Sequence, residues 1–563
     1  MRYTNPPEEP EQKLLFDAEI GAWWHTQLSP EGLRQLDGGM EGVMRRSILK
    51  LLPAEKLGKR FHEFLGRPTK ELYAMCGLML VAEFRDLTID EAVSAWTFDA
   101  SVQYALNLPR DRQYLSARTL DSYRQLLRED ESAQGIFEEV TAALVKELGV
   151  EIKKQRLDST HVLSNMATFG RLKLLAVTTK RFLTQLKRHH REEYEALPEE
   201  LRARYTAAES RIFGFGTKNP VPREEALQTV GEDMVVLLER FAEMEAVASR
   251  SSYKALDRVF KEHCEITARG RMKLREKALD ENGQSSRTLQ NSSDEGAGYS
   301  GHKGAGYQVQ LAQACGQEEE GPGLIVACVP QSAAESDSAA VQSVIEQQQR
   351  MGTLPEEQLA DTAYGSESNV ELCASVNVTL IAPVPGRVAA AKAQQNITKE
   401  GPQAPATWAE KRRAEQESKE WKKLYALRSG VEGVNEALDR TTGMKALRVR
   451  GRRAVHMAIY LKVTGWNIKG AAAILKNRAR RKSAAAAEEN AGQKDGKSVR
   501  KNSFFARRRS HGRSRRHQRL CHRRPSLRHG RLPCWLAPVG YRAASITVVV
   551  KIDFAPASEQ AAP

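Results

Sequence analysis

The sequence predicts a mixed α/β (α+β) protein in which a helical N-terminal region precedes a sheet with a long helical interruption. Three patterns indicate this class. Helical periodicity dominates up to Gly149, apolar strand patterns begin after it, and a charged helical stretch from about Arg171 to Cys264 separates the first strand from the others. At 563 residues the chain exceeds one compact core, so several domains are expected.

The helical region, residues 1–149, contains helix start and stop signals. Pro68 and Thr69 precede the apolar segment ELYAMCGLMLVAEF, a capping box spans Thr88–Glu91, and Gly149 suits a helix C-cap. Short helices joined by tight turns occur in helix-turn-helix DNA-binding domains and also in plain helix packing. Both interpretations therefore stay open for this region.

The strand segments differ in their patterns. VEIKKQRLDSTHV predicts a strand that ends at Asp158, YQVQLAQAC alternates and predicts a half-buried strand, and GLIVACVP is continuously apolar and predicts a central one. Shorter strands are predicted before Asp361 and in VTLIAPVP. The segment Gly386–Glu417 has no clear apolar stripe and predicts a loop or a solvated helix.

Basic residues are concentrated at the C-terminus. The net charge is +15, but residues 476–563 contain 22 Lys and Arg against five Asp and Glu, so the rest of the chain is nearly neutral. The run RRRSHGRSRRHQRLCHRRPSLRHGRLPCW predicts either a disordered basic arm that binds DNA or the product of a reading-frame shift. Seven scattered cysteines favour a reducing cytoplasm, and no apolar run approaches a bilayer-spanning length.

Two aspartates are candidates for a metal site because each closes a predicted strand and precedes a hydroxyl residue. They are Asp158 in RLDSTHV and Asp361 in QLADTAYGS. Carboxylates that converge at one edge of a sheet repel one another unless a cation such as Mg²⁺ binds them together with phosphate oxygens and water. A cap or turn role is the alternative for each aspartate.

Two further motifs suggest phosphate contacts. The run GAGYSGHKGAGY has a G-x-G-x-x-G spacing, but polar residues precede it and a strand follows, so a glycine-rich hairpin is the better interpretation. The cluster LRVRGRR predicts either phosphate binding or a solvated basic face. Its basic residues are Arg448, Arg450, Arg452 and Arg453.

Four motifs in order resemble those of the DDE transposases of bacterial insertion sequences: RLDSTHVLSNM, RTLQNSSDEGAGYSGHKGAGYQVQL, LADTAYGSESN and YALRSGVEGVNEALDR. The resemblance implies a ribonuclease H-like catalytic core at residues 150–475 with a large helical insertion at about 165–285. An all-helical N-terminal domain, residues 1–149, precedes this core, and a basic tail, residues 476–563, follows it. In this family the first acid lies on the first strand, the second at the end of the fourth strand, and the third on a later helix.

Residue by residue, the resemblance implies that Asp158, Asp361 and Glu432 are the catalytic and metal-binding residues, with Mg²⁺ or Mn²⁺ as cofactor. The implied reaction is metal-assisted phosphoryl transfer, in which water cuts the element's ends and the freed 3′-hydroxyl attacks target DNA. Glu436, one turn after Glu432, is a competitor for the third position, and we expect it to be a solvated helix residue.

Tyr425, Arg428 and Glu432 also match the Tyr-x2-Arg-x3-Glu-x6-Lys signature of one transposase group. Asp439 occupies the lysine position, and Arg440 follows it. DNA contacts are implied for Tyr425, Arg428, Arg440 and the four arginines of the LRVRGRR cluster. The glycines at 430 and 433 are poor helix formers, and we expect them to leave room for a DNA backbone beside the glutamate.

The predicted function is therefore a DNA transposase of an insertion sequence, with Mg²⁺-dependent strand cleavage and strand transfer. Its partners would be double-stranded DNA, as terminal inverted repeats and target, and further copies of the chain in a synaptic homo-oligomer, without a membrane. The expected location is the bacterial cytoplasm, at the nucleoid. The alternatives are a non-catalytic DNA-binding protein, a nuclease of the same fold, and an inactive relic with a frame-shifted C-terminus.

Overall fold

The computed structural model describes residues 28–498, apart from the segments 63–64, 66–68, 109–113, 317–320 and 386–406. Its architecture combines helices with a mixed sheet, as the sequence predicts. Within this part of the chain, no helix combines the length and the apolar composition that crossing a membrane requires.

Eight helices of the described residues precede the first strand. They are α1 (Pro30–Asp37), α2 (Met40–Val43), α3 (Ala54–Gly58), α4 (Leu72–Phe84), α5 (Ile89–Phe98), α6 (Ala100–Ala105), α7 (Ala117–Glu129) and α8 (Ser132–Leu148). A π-helical turn, Met44–Ile48, and a 3₁₀ turn, Leu49–Leu51, connect α2 to α3.

The caps of these helices follow the sequence signals in part. The Thr88–Glu91 capping box is present at α5, and Gly149 ends α8 in the left-handed conformation, so both predictions are confirmed. Helix α4 begins later than predicted. Its N-cap is Glu71, whose carboxylate accepts a hydrogen bond from the Tyr73 amide at 3.0 Å.

The strands are β1 (Lys154–Val162), β2 (Cys264–Ile266), β3 (Met272–Leu274), β4 (Gly298–Ser300), β5 (Gly304–Ala314), β6 (Ile325–Ser332), β7 (Glu357–Leu359) and β8 (Thr379–Ile381). The main sheet places β5, β1, β7 and β8 side by side in that order, and β6 pairs with the other side of β5. Strand β1 is antiparallel to β5 and parallel to β7, and β7 is parallel to β8. Short β4 pairs with the start of β5 and forms the predicted glycine-rich hairpin.

Three strand predictions need correction. Asp158 lies inside β1 rather than at its end, because pairing with β5 continues as far as Val162 opposite Tyr307. Strand β5 is buried along most of its length instead of half-buried, because its glutamines form internal hydrogen bonds. Strand β6 is an edge strand of the described sheet instead of a central one.

Edge strand β6 is buried because side chains take the place of a neighbouring strand. The Ile325 amide donates to Asn467 Oδ1 at 2.9 Å, and the Cys328 amide donates to Gln347 Oε1 at 2.7 Å. These side chains satisfy backbone groups that would otherwise need water or a further strand. An apolar edge strand can therefore stay away from solvent.

The long helical interruption has a hydrophobic cluster of its own, whose buried members lie between Leu172 and Leu289. The two-stranded β2–β3 hairpin packs at the end of this segment. The helices of the interruption are α9 (Arg171–His189), α10 (Arg191–Glu195), α11 (Glu199–Arg204), α12 (Arg223–Phe241), α13 (Glu245–Ala248) and α14 (Ser251–His263).

The remaining helices are α15 (Ala340–Met351), α16 (Glu367–Ser375), α17 (Trp408–Gln416), α18 (Lys419–Ala426), α19 (Gly430–Thr442) and α20 (Arg452–Ser498). One hydrophobic cluster joins the N-terminal helices, the β5–β6 side of the sheet and the first part of α20. Most of the predicted loop at 386–417 lies outside the described residues, and α17 within it buries no residue. Helix α20 extends into the predicted tail, and the Arg-rich run lies outside the described residues.

Candidate active site

Asp158 projects from β1 toward α19 and has a different partner for each carboxylate oxygen. Oδ2 accepts a hydrogen bond from Asn435 Nδ2 at 3.1 Å, and Oδ1 lies 3.8 Å from Arg428 Nη2. Burial raises the pKa of Asp158 to about 6, an effect that Arg428 opposes and Asp361 reinforces. Asp158 is therefore a mostly buried ionisable group with one neutral and one cationic partner.

Asp361 reaches the same guanidinium from the neighbouring strand. It follows β7, and the parallel pairing of β7 with β1 brings it beside Asp158. One Asp361 oxygen accepts a hydrogen bond from the Ala363 amide at 2.8 Å, and the other lies 3.8 Å from Arg428 Nη2. Asp361 thus caps a short 3₁₀ turn, Thr362–Tyr364, while facing Arg428.

Arg428 provides the positive charge between the two aspartates. It belongs to the 3₁₀ turn Leu427–Ser429 that joins α18 to α19, and its side chain is mostly buried. Tyr425, one turn earlier, stacks on Trp421 with ring centroids 4.8 Å apart. Trp421 and Tyr425 pack against a small hydrophobic cluster that contains Leu359 of β7 and Ile381 of β8. This packing fixes the turn against the sheet.

Glu432 lies in the first turn of α19 and is exposed. It is four residues after Arg428 and three before Asn435, a spacing that places it on the helix face that carries both contacts to Asp158. It forms no ion pair with a described residue, and Glu436 is likewise exposed. Among the described residues, no three His, Cys, Asp or Glu side chains are grouped as a metal site.

Gly430, the first residue of α19, packs against β1. A Cβ there would clash with Arg156 Nη1, and Arg156 donates hydrogen bonds to Gln313 Oε1 and to the Leu427 carbonyl. The expectation that Gly430 leaves room for DNA is therefore wrong, because the Arg156 guanidinium fills that space. Around Gly433, no described atom outside the helix backbone lies within 4 Å of an added Cβ.

Alanine substitutions at these glycines are expected to have opposite effects on stability. Gly430→Ala should lower the free energy of unfolding by about 1–3 kcal/mol, because the new methyl group displaces Arg156 from its hydrogen bonds. Gly433→Ala should raise it by about 0.5–1 kcal/mol, because alanine is the better helix former. Urea unfolding of both variants measures the difference, and equal stabilities would contradict the packing role of Gly430.

The predicted DNA-contacting arginines differ in their surroundings. Arg448 donates to Asp86 Oδ2 at 3.0 Å, and Arg453 donates to Glu131 Oε1 at 3.0 Å, so both form ion pairs with the N-terminal helical region. Arg440, Arg450 and Arg452 are exposed like these two, whereas Arg428 is mostly buried between the aspartates. Asp439, at the expected lysine position, accepts a hydrogen bond from the Lys445 amide at 2.8 Å and thereby closes the turn after α19.

Two residues of the site were not predicted from the sequence. Asn435 lies in the buried stripe of α19, where its only sequence signal is an amide at an apolar position. Lys303, in the β4–β5 hairpin, donates to Ser159 Oγ at 2.8 Å, and its charge opposes the rise in the Asp158 pKa. The sequence signal for Lys303 is a lone lysine within the glycine-rich run GAGYSGHKGAGY.

Two carboxylates and one amide meet at this site, and their oxygens are of the kind that divalent cations bind. Two carboxylates on neighbouring strands already face one shared positive group, Arg428, and Asn435 Oδ1 is buried without a hydrogen-bond partner among the described groups. Carboxylate and amide oxygens are the ligands that Mg²⁺ and Mn²⁺ prefer, and Mg²⁺ commonly uses only one or two protein carboxylates.

A family model described as "Transposase DDE domain" matches residues 388–472. The matched segment contains α18, α19 and the first part of α20, with Tyr425, Arg428 and Glu432, whereas both aspartates of the site lie outside it. The match supports a DDE transposase. No curated protein and no solved structure matches the chain.

Proposed function

We propose that the protein is a DNA transposase of an insertion sequence, with Asp158, Asp361 and Glu432 as its catalytic carboxylates. The observation that carries this proposal is the convergence of Asp158 and Asp361 on Arg428, 3.8 Å from each, directly before the helix that presents Glu432. The family match adds independent support, because it covers the segment with Arg428 and Glu432.

The topology supports a ribonuclease H-like core, as the resemblance implies. Apart from the short hairpin strand β4, the strands of the main sheet in chain order are β1, β5, β6, β7 and β8. Asp158 lies on the first of these, Asp361 follows the fourth, and Glu432 lies on a later helix. This is the order of acids that the family implies. The large helical interruption falls between the first and second of these strands.

In this proposal, Asp158, Asp361 and Glu432 would hold Mg²⁺ or Mn²⁺, which when bound supplies Lewis-acid activation of water and charge stabilisation at the phosphoryl group. Arg428 lies 3.8 Å from Asp158, and Lys303, which donates to the neighbouring Ser159, is close enough to oppose the rise in the Asp158 pKa; both would offer positive charge to the DNA backbone.

Exposed basic side chains extend the predicted DNA surface. Arg440 on α19, Arg450 before α20 and Arg452 at its first residue would provide phosphate contacts. Arg448 and Arg453 are also exposed, but each already pairs with a carboxylate of the N-terminal region, which a DNA phosphate would have to replace. The DNA partner includes the element's ends and the target, and a synaptic complex would require a second copy of the chain.

DNA cleavage by the full chain tests this proposal. The substrate is linear double-stranded DNA that carries both ends of the element, each with its adjoining genomic sequence. A fragment in which the sequence at both ends is scrambled is the control. We expect strand breaks at the boundaries in Mg²⁺ or Mn²⁺, joined products with target DNA, and neither product in EDTA. Binding that survives EDTA without cleavage in any divalent ion would instead indicate a non-catalytic DNA-binding protein, and cleavage without joining would indicate a nuclease.

A further inference from the structure

Asn435 interrupts the buried face of α19. The other buried residues of this helix are Val431, Leu438 and Thr442, so the amide occupies one position of a largely apolar stripe. An amide placed there costs free energy unless its donor and acceptor groups are both satisfied. Its presence therefore requires polar partners in this interface.

One end of the Asn435 amide is satisfied by Asp158, and the other end is not satisfied within the described residues. Nδ2 donates to Asp158 Oδ2 at 3.1 Å, which fixes the orientation of the amide, since Oδ1 could only repel the carboxylate. Oδ1 is buried and has no hydrogen-bond partner among the described groups. A buried polar atom without a partner is uncommon in a folded protein, and this acceptor is available to a water molecule or to a hydrated ion beside Asp158.

The charge of the two Asp158 partners also differs. Arg428 approaches Oδ1 with a full positive charge at 3.8 Å, whereas Asn435 holds Oδ2 with a neutral donor. A second cationic side chain on Asp158 would compete with a metal ion for the carboxylate. A neutral amide restricts the carboxylate to one orientation without adding that competition.

We propose that Asn435 is a positioning residue, which orients the Asp158 carboxylate for a divalent cation and presents its own Oδ1 as an oxygen acceptor toward the hydrated ion. The inference rests on the proposed function, because it takes Asp158 as a ligand of that cation. It assigns to α19 two separate contributions: Glu432 as a ligand, and Asn435 as the residue that fixes the ligand on β1.

Binding of Mn²⁺ to the full-length chain without DNA tests this role, with free Mn²⁺ measured by electron paramagnetic resonance. Asn435→Leu keeps a side chain of similar size and suits the apolar stripe, so the fold and the melting temperature should be maintained. We expect its Mn²⁺ dissociation constant to rise by roughly 10–100-fold, the usual effect of losing a residue that orients a metal ligand. Asn435→Ser, which keeps a donor and an acceptor, should show a smaller rise.

Two further variants make the result decisive. Glu436→Gln, an exposed neighbour on the same helix, should bind Mn²⁺ as the wild type does, and Asp158→Asn should lose binding. If Asp158→Asn loses binding while Asn435→Leu stays within twofold of the wild type, the role of Asn435 is refuted and the proposed function stands. If the wild type shows no saturable Mn²⁺ binding, or if Asp158→Asn retains it, the metal site of the proposed function itself is refuted.

Discussion

Asp158→Asn, Asp361→Asn and Glu432→Gln are each expected to reduce Mg²⁺-dependent DNA cleavage by about a thousandfold or more while leaving DNA binding intact. Each change replaces one carboxylate oxygen by an amide nitrogen, which is a poor ligand for Mg²⁺. The loss of a metal-assisted step removes several kilocalories per mole of transition-state stabilisation, and about 4 kcal/mol corresponds to a thousandfold change in rate. Strand cleavage on end-labelled DNA and a gel-shift assay measure the two properties separately.

These variants are expected to fold, which makes the loss of cleavage informative. Burial raises the pKa of Asp158 to about 6, so the ionised carboxylate is unfavourable in the metal-free protein and the neutral amide is tolerated. Asp361 is partly exposed, and Glu432 is exposed. Thermal melts in EDTA should therefore place all three variants close to the wild type or, for Asp158→Asn, above it.

Glu436→Gln is the matched control for the third carboxylate. It lies one helical turn after Glu432, is also exposed, and forms no ion pair with a described residue. It should retain wild-type cleavage. If Glu436→Gln abolished cleavage and Glu432→Gln did not, Glu436 rather than Glu432 would be the catalytic glutamate. Full cleavage by Asp158→Asn or Asp361→Asn would remove that aspartate from the active site.

Much of the element order could be predicted because it depends on local patterns. The Thr88–Glu91 capping box, the C-cap at Gly149 and the glycine-rich hairpin are each determined by a few adjacent residues. The position of β6 in the sheet could not be predicted, because an apolar strand is equally compatible with a central position and with an edge covered by helices. Of the two side chains that cover this edge, Gln347 comes from α15, the helix after β6, but Asn467 comes from α20, 142 positions away from its partner.

The same limit applies to the candidate site. The hydroxyl-flanked aspartates were identifiable from the sequence, but their shared contact with Arg428 depends on the pairing of β1 with β7 and on the turn before α19. The packing of Arg156 against Gly430 and the contact of Asn435 with Asp158 join residues more than 270 positions apart. Such contacts become visible only when the fold brings the two segments together.

Lys462 links the N-terminal helices to the helix that carries Glu432. Its side chain is 1% exposed, and its ammonium group donates to the Glu83 carbonyl, to Asp86 Oδ1 and to the Thr442 carbonyl at 2.9, 2.9 and 2.6 Å. The three acceptors come from the end of α4, the turn after it and the C-terminus of α19. One buried charge on α20 therefore fixes both of these segments.

Lys462→Met is accordingly expected to lower the free energy of unfolding by about 3 kcal/mol. This lies at the lower end of the range for breaking a buried ion pair, because Arg448 still donates two hydrogen bonds to Asp86 after the change. The cost arises from the buried Thr442 carbonyl, which loses the ammonium donor, and from the Asp86 carboxylate, which loses one of its two cationic partners; the Glu83 carbonyl still accepts from the Asp86 amide. Urea unfolding followed by circular dichroism measures it.

Lys469→Met is the matched control on the same helix. Lys469 is exposed, and its ammonium group lies 5.6 Å from the centre of the Trp466 ring, a contact worth roughly 0.5–1 kcal/mol at an exposed site. The control should therefore lose at most about 1 kcal/mol. If both variants lost equally little, Lys462 would not connect the N-terminal helices to α19. If Lys462→Met alone were destabilised, the loss would be assigned to the contacts by which the buried ammonium group joins the N-terminal helices to α19.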